Sequence, residues 1–250
     1  MRKRVYILLQ IKSTANNTGI TVSGSYDDLS ALHDSFVGVV GGKDDFFYQA
    51  ASRLRVLGVC QEIRNAYLGK REISKNIDGI SCYAFCILWP EAAFVAAVLD
   101  NFVLLSRAKM LYVDRHPEDL QKQVQPVLLN HVALIHYFQD LVWNELERIL
   151  GDRRVMTIFG EYNDLRSMHF KYPQLDGFHT QWLDLLNIVY LCSKPEQRVS
   201  YLTAVLTRLF SIDEEYLVLK NSIEVFAKQE GIRVTGVRIA DCMYPDKIKW

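Results

Sequence analysis

The amino-acid sequence predicts an α/β (α+β) fold: a mixed sheet in the N-terminal part, a large helical C-terminal half, and a final strand that returns to the sheet. Three observations carry this expectation. Residues 4–11 and 80–89 are apolar on both strand faces, the pattern of strands covered on both sides. From about His116 onward, apolar residues recur at three- and four-residue steps, the spacing of buried helix stripes. After Gly231, residues 232–239 read as a strand with Gly236 as a bulge, and a lone strand must find a sheet. The 250 residues then form one compact unit, with an α/β part over 1–115, a helical part over 116–230 and the returning strand over 231–240.

Taken in order, residues 4–11 form a central strand, and Asn16-Asn17-Thr18-Gly19 supplies turn chemistry for a hairpin with the alternating run 20–23. Ser25, Tyr26, Asp27 and Asp28 start a helix with Leu29, Leu32, Phe36 and Val40 on one face, and Gly41-Gly42 ends it. A second helix runs from about residue 44 to 68, with Phe47, Ala51, Leu54, Leu57 and Ile63 as its apolar stripe and Gly69 as its cap. The strand 80–89 follows, and Pro90-Glu91 opens the next helix, where proline's missing N–H costs little and a carboxylate suits the positive helix end. Leu120, Val124, Val127, His131, Leu134, Phe138 and Leu141 mark one long buried stripe that Gly151 breaks. Trp182, Leu185, Leu186 and Val189 mark another helix, and Ser193 with Glu196 and Ser211 with Glu214 read as capping boxes.

Composition narrows the function classes. Half of the residues are hydrophobic and 23% are charged, which excludes a disordered or collagen-like chain. Lys+Arg and Asp+Glu both total 29, so no whole-molecule basic field draws nucleic acid or anionic lipid. Nucleic-acid binding would need Arg2, Lys3, Arg4, Arg153 and Arg154 to form one patch. Five cysteines (Cys60, Cys82, Cys86, Cys192, Cys242) are odd in number, scattered and without a CxxC pair. Cys82 and Cys86 read as buried reduced thiols. The basic start is followed by an apolar run too short for a signal peptide, and the stretch 92–105 is broken by Asp100 and Asn101, short of the roughly 20 residues of a membrane span. A reducing cytoplasm is the expected setting.

No assembled catalytic motif appears. GxxxxGK[ST], GxGxxG, GxSxG and HExxH are all missing, and Ser23-Gly24-Ser25 is the one strand-to-helix turn offered to a phosphate. His131 and His136 fall on different helix faces, while His169 and His179 read as surface histidines flanking a loop. Asp45, Glu62 and Arg64 carry the letters of a magnesium nuclease site on a segment that reads as helix. No metal or cofactor is expected.

The densest polar set runs from Arg53 to Ile73. As a solvated helix face with a basic last turn it needs no ligand. As a recognition surface, Arg64, Tyr67, Arg71 and Glu72 would join Trp89 and Glu91, which lie at a strand-to-helix switch where open α/β sheets collect ligands. Residues 17–24, Asp28-Leu29, Leu32-His33, the stretch 56–73 and Leu88-Trp89-Pro90-Glu91 together resemble a family of uncharacterised bacterial proteins, a domain of unknown function, over residues 16–105. Glu62 and Asn65 stand where that family's helix carries an Asp and a His, so the resemblance implies no intact catalytic pair. It implies a bacterial, cytoplasmic origin and no assigned activity.

The function expected is a non-catalytic protein-interaction or accessory protein, in a setting such as phage defence or toxin neutralisation. Its partner is another protein or a second copy of the chain, the latter through the 120–141 stripe. Aromatic residues, favoured at interface hot spots, support this. The alternative is an enzyme acting on a phosphate-containing small molecule or nucleic acid, with Arg64, Arg71 and Glu72 binding charge.

Overall fold

The computed structural model describes residues 9–75, 79–113, 118–168, 177–237, 244–245 and 247–250, without the side chains of 110–113, 118–127, 165–168 and 235. Its sheet has four strands, β1 (Gln10–Ser13), β2 (Gly19–Gly24), β3 (Glu72–Lys75) and β4 (Ser81–Leu88), in the order β1-β2-β4-β3. All three pairings are antiparallel, so the expected mixed sheet is corrected. Two helices separate β2 from the next strand, and β4 arrives from the β3 hairpin, so the single-helix crossover that makes parallel neighbours does not occur. The first strand is an edge strand, not a central one, and residues 4–8 lie outside the described part.

Ile20, Val22, Phe85 and Ile87 point to the buried face of the sheet, under helices α1 (Tyr26–Val40) and α3 (Trp89–Val113). Thr21, Ser23, Cys82 and Cys86 alternate onto the other face, so both cysteines are half-buried rather than core. The helix α1 follows local rules closely. Ser25 accepts from the Asp28 backbone N–H and Asp28 returns the bond to Ser25 N, a capping box. The Asp28 carboxylate thus takes the Ser25 amide and hydroxyl, two of the donors this turn would offer a phosphate.

The helix α2 (Ala50–Asn65) departs from its expected stripe. Val56, Val59, Cys60 and Ile63 are buried, whereas Phe47 and Leu54 are 63% and 65% exposed. Phe47 lies in a 3₁₀ turn before α2, and Leu54 and Ile63, nine residues apart, fall on opposite faces of the helix at about 3.6 residues per turn, so one stripe cannot hold them all. A π-helical turn at Ala66–Lys70 ends the segment, with Gly69 in the left-handed region at φ 77°.

From Ala92 to Leu99 every residue of α3 is buried, by α1, α6 (Gly177–Cys192), α7 (Arg198–Phe210) and their neighbours. The span Trp89–Lys109 is long and apolar enough to cross a membrane by length and composition, contrary to expectation, and 67% of its apolar window is buried in the fold. Asp100 does not interrupt it, because Gln139 and the Tyr162 hydroxyl donate to its carboxylate at 2.9 and 2.8 Å. The described part of the long stripe lies on α4 (Glu118–Leu150), where Phe138, Val142 and Leu146 are fully buried against α1, α3 and α5 (Asp152–Met168). Residues 128–150 thus pack that face against the chain's own helices.

Both expected capping boxes in the helical half are corrected. The Ser193 hydroxyl donates back to Tyr190 O, and Ser211 sits at the end of α7, while Asp213 caps α8 (Glu214–Glu230) by accepting from Tyr216 N at 2.8 Å. His179 is fully buried on α6 against Tyr216 rather than on a surface loop, and His169 lies outside the described residues. The returning strand is not formed over 232–237. Val234–Gly236 is a 3₁₀ turn whose carbonyl at Val234 and that of Val237 accept from Gln181 at 2.9 and 2.7 Å, and 238–239 lie outside the described part. Distant chain still reaches the sheet: Thr18 Oγ1 donates to Lys249 O at 2.6 Å, Asn16 Nδ2 to Trp250 O at 2.7 Å, and Arg198 Nη1 to Asn16 O at 3.1 Å.

Candidate functional site: a cleft between α2 and the start of α3

The start of α3 follows β4 without a loop, which fixes Glu91 in its first turn and turns the carboxylate toward α2. Between the two lies a concave space of about 260 Å³. Leu54, Gly58 and Val59 form its α2 wall and Ile87 of β4 faces them, so the walls are apolar. Arg55, Glu62 and Glu91 supply the charge.

These charges are unequally satisfied. Arg55 makes a direct ion pair with Asp184 of α6 through Nη2, which also donates to Thr180 O at 3.1 Å, while its Nη1 lies 3.7 Å from Glu91 Oε2. Glu91 receives a hydrogen bond from Asn187 Nδ2 on the same Oε2, at 3.1 Å. Burial pushes the Glu91 carboxyl up, by more than Arg55 and Asn187 pull it down. Burial works against the Arg55 guanidinium too, but Glu91 and Asp184 together carry it above its ordinary value. The Tyr244 hydroxyl closes the far side at 3.3 Å from Asp184 Oδ1, and burial beside that carboxylate pushes it up. At the outer wall Glu62 is held bidentately by Arg71, at 2.8 and 3.0 Å, in an exposed pair.

Of the residues expected from sequence to form a surface, the fold gathers two. Glu91 lines the cleft, and Arg71 holds Glu62 on its outer wall. Trp89 is fully buried in the core, because the strand-to-helix junction turns it inward. Glu72 sits opposite Ala84, on the sheet face that carries Cys82 and Cys86, and does not line the cleft. Arg64 is exposed on α2, and Tyr67 packs edge-on against Tyr26 and near His33, with ring centroids 5.2 and 6.1 Å away. Arg55 and Gly58 fall within the polar stretch from Arg53 to Ile73 but not among the residues expected to form the surface, and Asp184, Asn187 and Tyr244 carry no local signal. Asp45 is tied to Lys109 at 2.6 Å, so the nuclease lettering at Asp45, Glu62 and Arg64 does not assemble. Among the described residues no three His, Cys, Asp or Glu side chains converge to hold a metal ion.

A family model described as a domain of unknown function (DUF6904) matches residues 9–250. The chain belongs to this family. The match runs through the helical half, beyond the 16–105 stretch on which the sequence resemblance rested, so α6 with Asp184 and Asn187 falls within the same family unit as α2 and Glu91. No curated protein and no solved structure matches the chain.

Proposed function

We propose that the protein is a non-catalytic binding protein that acts through protein contacts and holds part of a partner in the cleft beside α2. Gly58 carries this reading. Glycine inside a helix costs roughly 1 kcal/mol relative to alanine, and a Cβ at Gly58 would meet no atom within 4 Å. Packing therefore does not require the glycine; what it keeps open is the cleft. The exposed Leu54 on the same wall, and Phe47 and Tyr48 just before α2, offer the apolar and aromatic surface that interfaces favour.

The alternative of an enzyme acting on a phosphate compound has weaker support. Arg71 is engaged by Glu62, Arg55 by Asp184, and carboxylates outnumber arginines around the cleft. The expected setting remains a reducing bacterial cytoplasm, as a proposal resting on the scattered, odd cysteines.

Gly58→Leu tests the reading. The substitution fills the cleft and improves helix propensity, so the variant should unfold at slightly higher urea. Native mass spectrometry of wild type and variant, each purified from the natural host, should show a protein bound at fixed stoichiometry to the wild type and lost from the variant. A variant that keeps every partner of the wild type overturns the reading.

A further inference from the structure

We infer that the cleft receives a positively charged side chain, the guanidinium or ammonium of an arginine or lysine in the partner, with Glu91 as its counter-ion. The inference rests on the proposed binding role and names its chemistry. The cleft's three charged residues are not equivalent. Arg55 is committed to Asp184 by direct contact, and Glu62 to Arg71 through two hydrogen bonds. Glu91 is left with a neutral amide donor and a guanidinium at 3.7 Å, beyond hydrogen-bond reach. Arg55 therefore faces two carboxylates, Glu91 and Asp184, and the buried cluster carries one uncompensated negative charge when both are ionised. A buried carboxylate in this position gains from any cation that reaches it.

The size and lining of the cleft fit the same occupant. About 260 Å³ is below the roughly 300 Å³ at which pockets begin to hold drug-sized ligands. It suits one long side chain. Leu54, Val59 and Ile87 would flank an alkyl stem, since long basic residues bury their methylenes along apolar surface and aim the charge at a polar end. Among the described residues Asn187 and Arg55 both approach Glu91 at Oε2, so we place the incoming cation on Oε1. An anion would meet the reverse arrangement: Arg55 and Arg71 are already engaged by Asp184 and Glu62, and the Glu91 carboxylate stands at the floor.

The test uses blocked single residues on the full, ¹⁵N-labelled chain. N-acetyl-arginine amide and N-acetyl-lysine amide should shift the backbone amide signals of Gly58 and Val59, and N-acetyl-citrulline amide, which keeps the shape of arginine without its charge, should bind at least tenfold more weakly. Glu91→Gln should lower the arginine affinity at least tenfold while the spectrum stays that of the folded protein. Equal binding of citrulline, or a response of these amides to inorganic phosphate but not to the cationic probes, overturns the inference. So does the absence of any response to the cations while Gly58→Leu still loses the partner, since the cleft is then used, but not for a cation. If Gly58→Leu keeps its partner, the binding reading itself falls.

Discussion

The helices α1 and α2 pack side by side, yet only one of them obeys the local grammar of helices. In α1 a capping box starts the helix, Leu29, Leu32, Phe36 and Val40 fill the core, and Gly41 at φ 68° ends it. In α2 no side chain caps the first turn, Leu54 is 65% exposed, and Gly58 stands on an open wall, whereas the glycine inside α1, Gly38, lies where a Cβ would press on His131 at 3.1 Å. Consistency between local preference and fold is what makes a sequence fold well, and the places that break it are where other demands are met. The contrast teaches that α1 is built for stability, and that α2 gives up some of it to shape a cleft.

Substitutions on the two helices sharpen or break this contrast. The largest effect is expected from Arg55→Ala. It leaves Asp184 and Glu91 facing one another without their cation, and loss of one partner from a buried ion pair costs about 3 kcal/mol. A urea midpoint close to wild type would show that the cluster does not hold α2 to α6. Next comes Ser25→Ala on α1, which removes the cap and should cost about 1 kcal/mol. Gly58→Leu should change stability by a similar amount with the opposite sign. If both substitutions destabilise equally, the two helices follow the same rules after all.

The smallest effect is expected from Glu91→Gln, and it depends on pH. Burial raises the Glu91 carboxyl, so the folded state holds its proton more tightly than the unfolded chain does. The stabilising contribution of the protonated group is then fully present below the unfolded carboxyl value of about 4.3 and is lost as pH rises through the raised folded value. Wild type and variant should therefore be close in urea stability at pH 4, and the variant should gain on wild type toward pH 7. The charged groups around this carboxyl, Arg55 and Asp184, are retained in both proteins. A variant that loses ground toward neutral pH would show that the charged form of Glu91 is the one the fold favours.

Much of the fold was legible because its signals are local. The two ends of α1, the strand before Pro90 and the break at Gly151 each rest on a few adjacent residues. What escaped depends on partners far along the chain. Glu72–Lys75 is exposed and carries no strand pattern of its own; its pairing with β4 makes it a strand. The serines at 193 and 211 carry cap lettering, but the helices before and after them shifted the true start to Asp213 and to a 3₁₀ turn. At the candidate site, Glu91 stood out by its place at a strand-to-helix junction. Arg55 lies in the polar stretch the sequence singles out, but it forms a site with Asp184 and Asn187 only after α6 packs onto α2, and nothing near those two in sequence announces that.

The turn between β1 and β2 has a consequence for how the molecule is completed as it is made. Asn16, Asn17 and Thr18 emerge well before their partners Tyr190, Arg198, Lys249 and Trp250, which lie 173 to 234 residues further along the chain. At the usual pace of synthesis, roughly 5–20 residues per second, the turn waits on the order of tens of seconds for them. During that interval its carbonyls and hydroxyl are served by water. The hairpin can pair with β4 long before then, so the sheet is an early event and the sealing of its turn a late one.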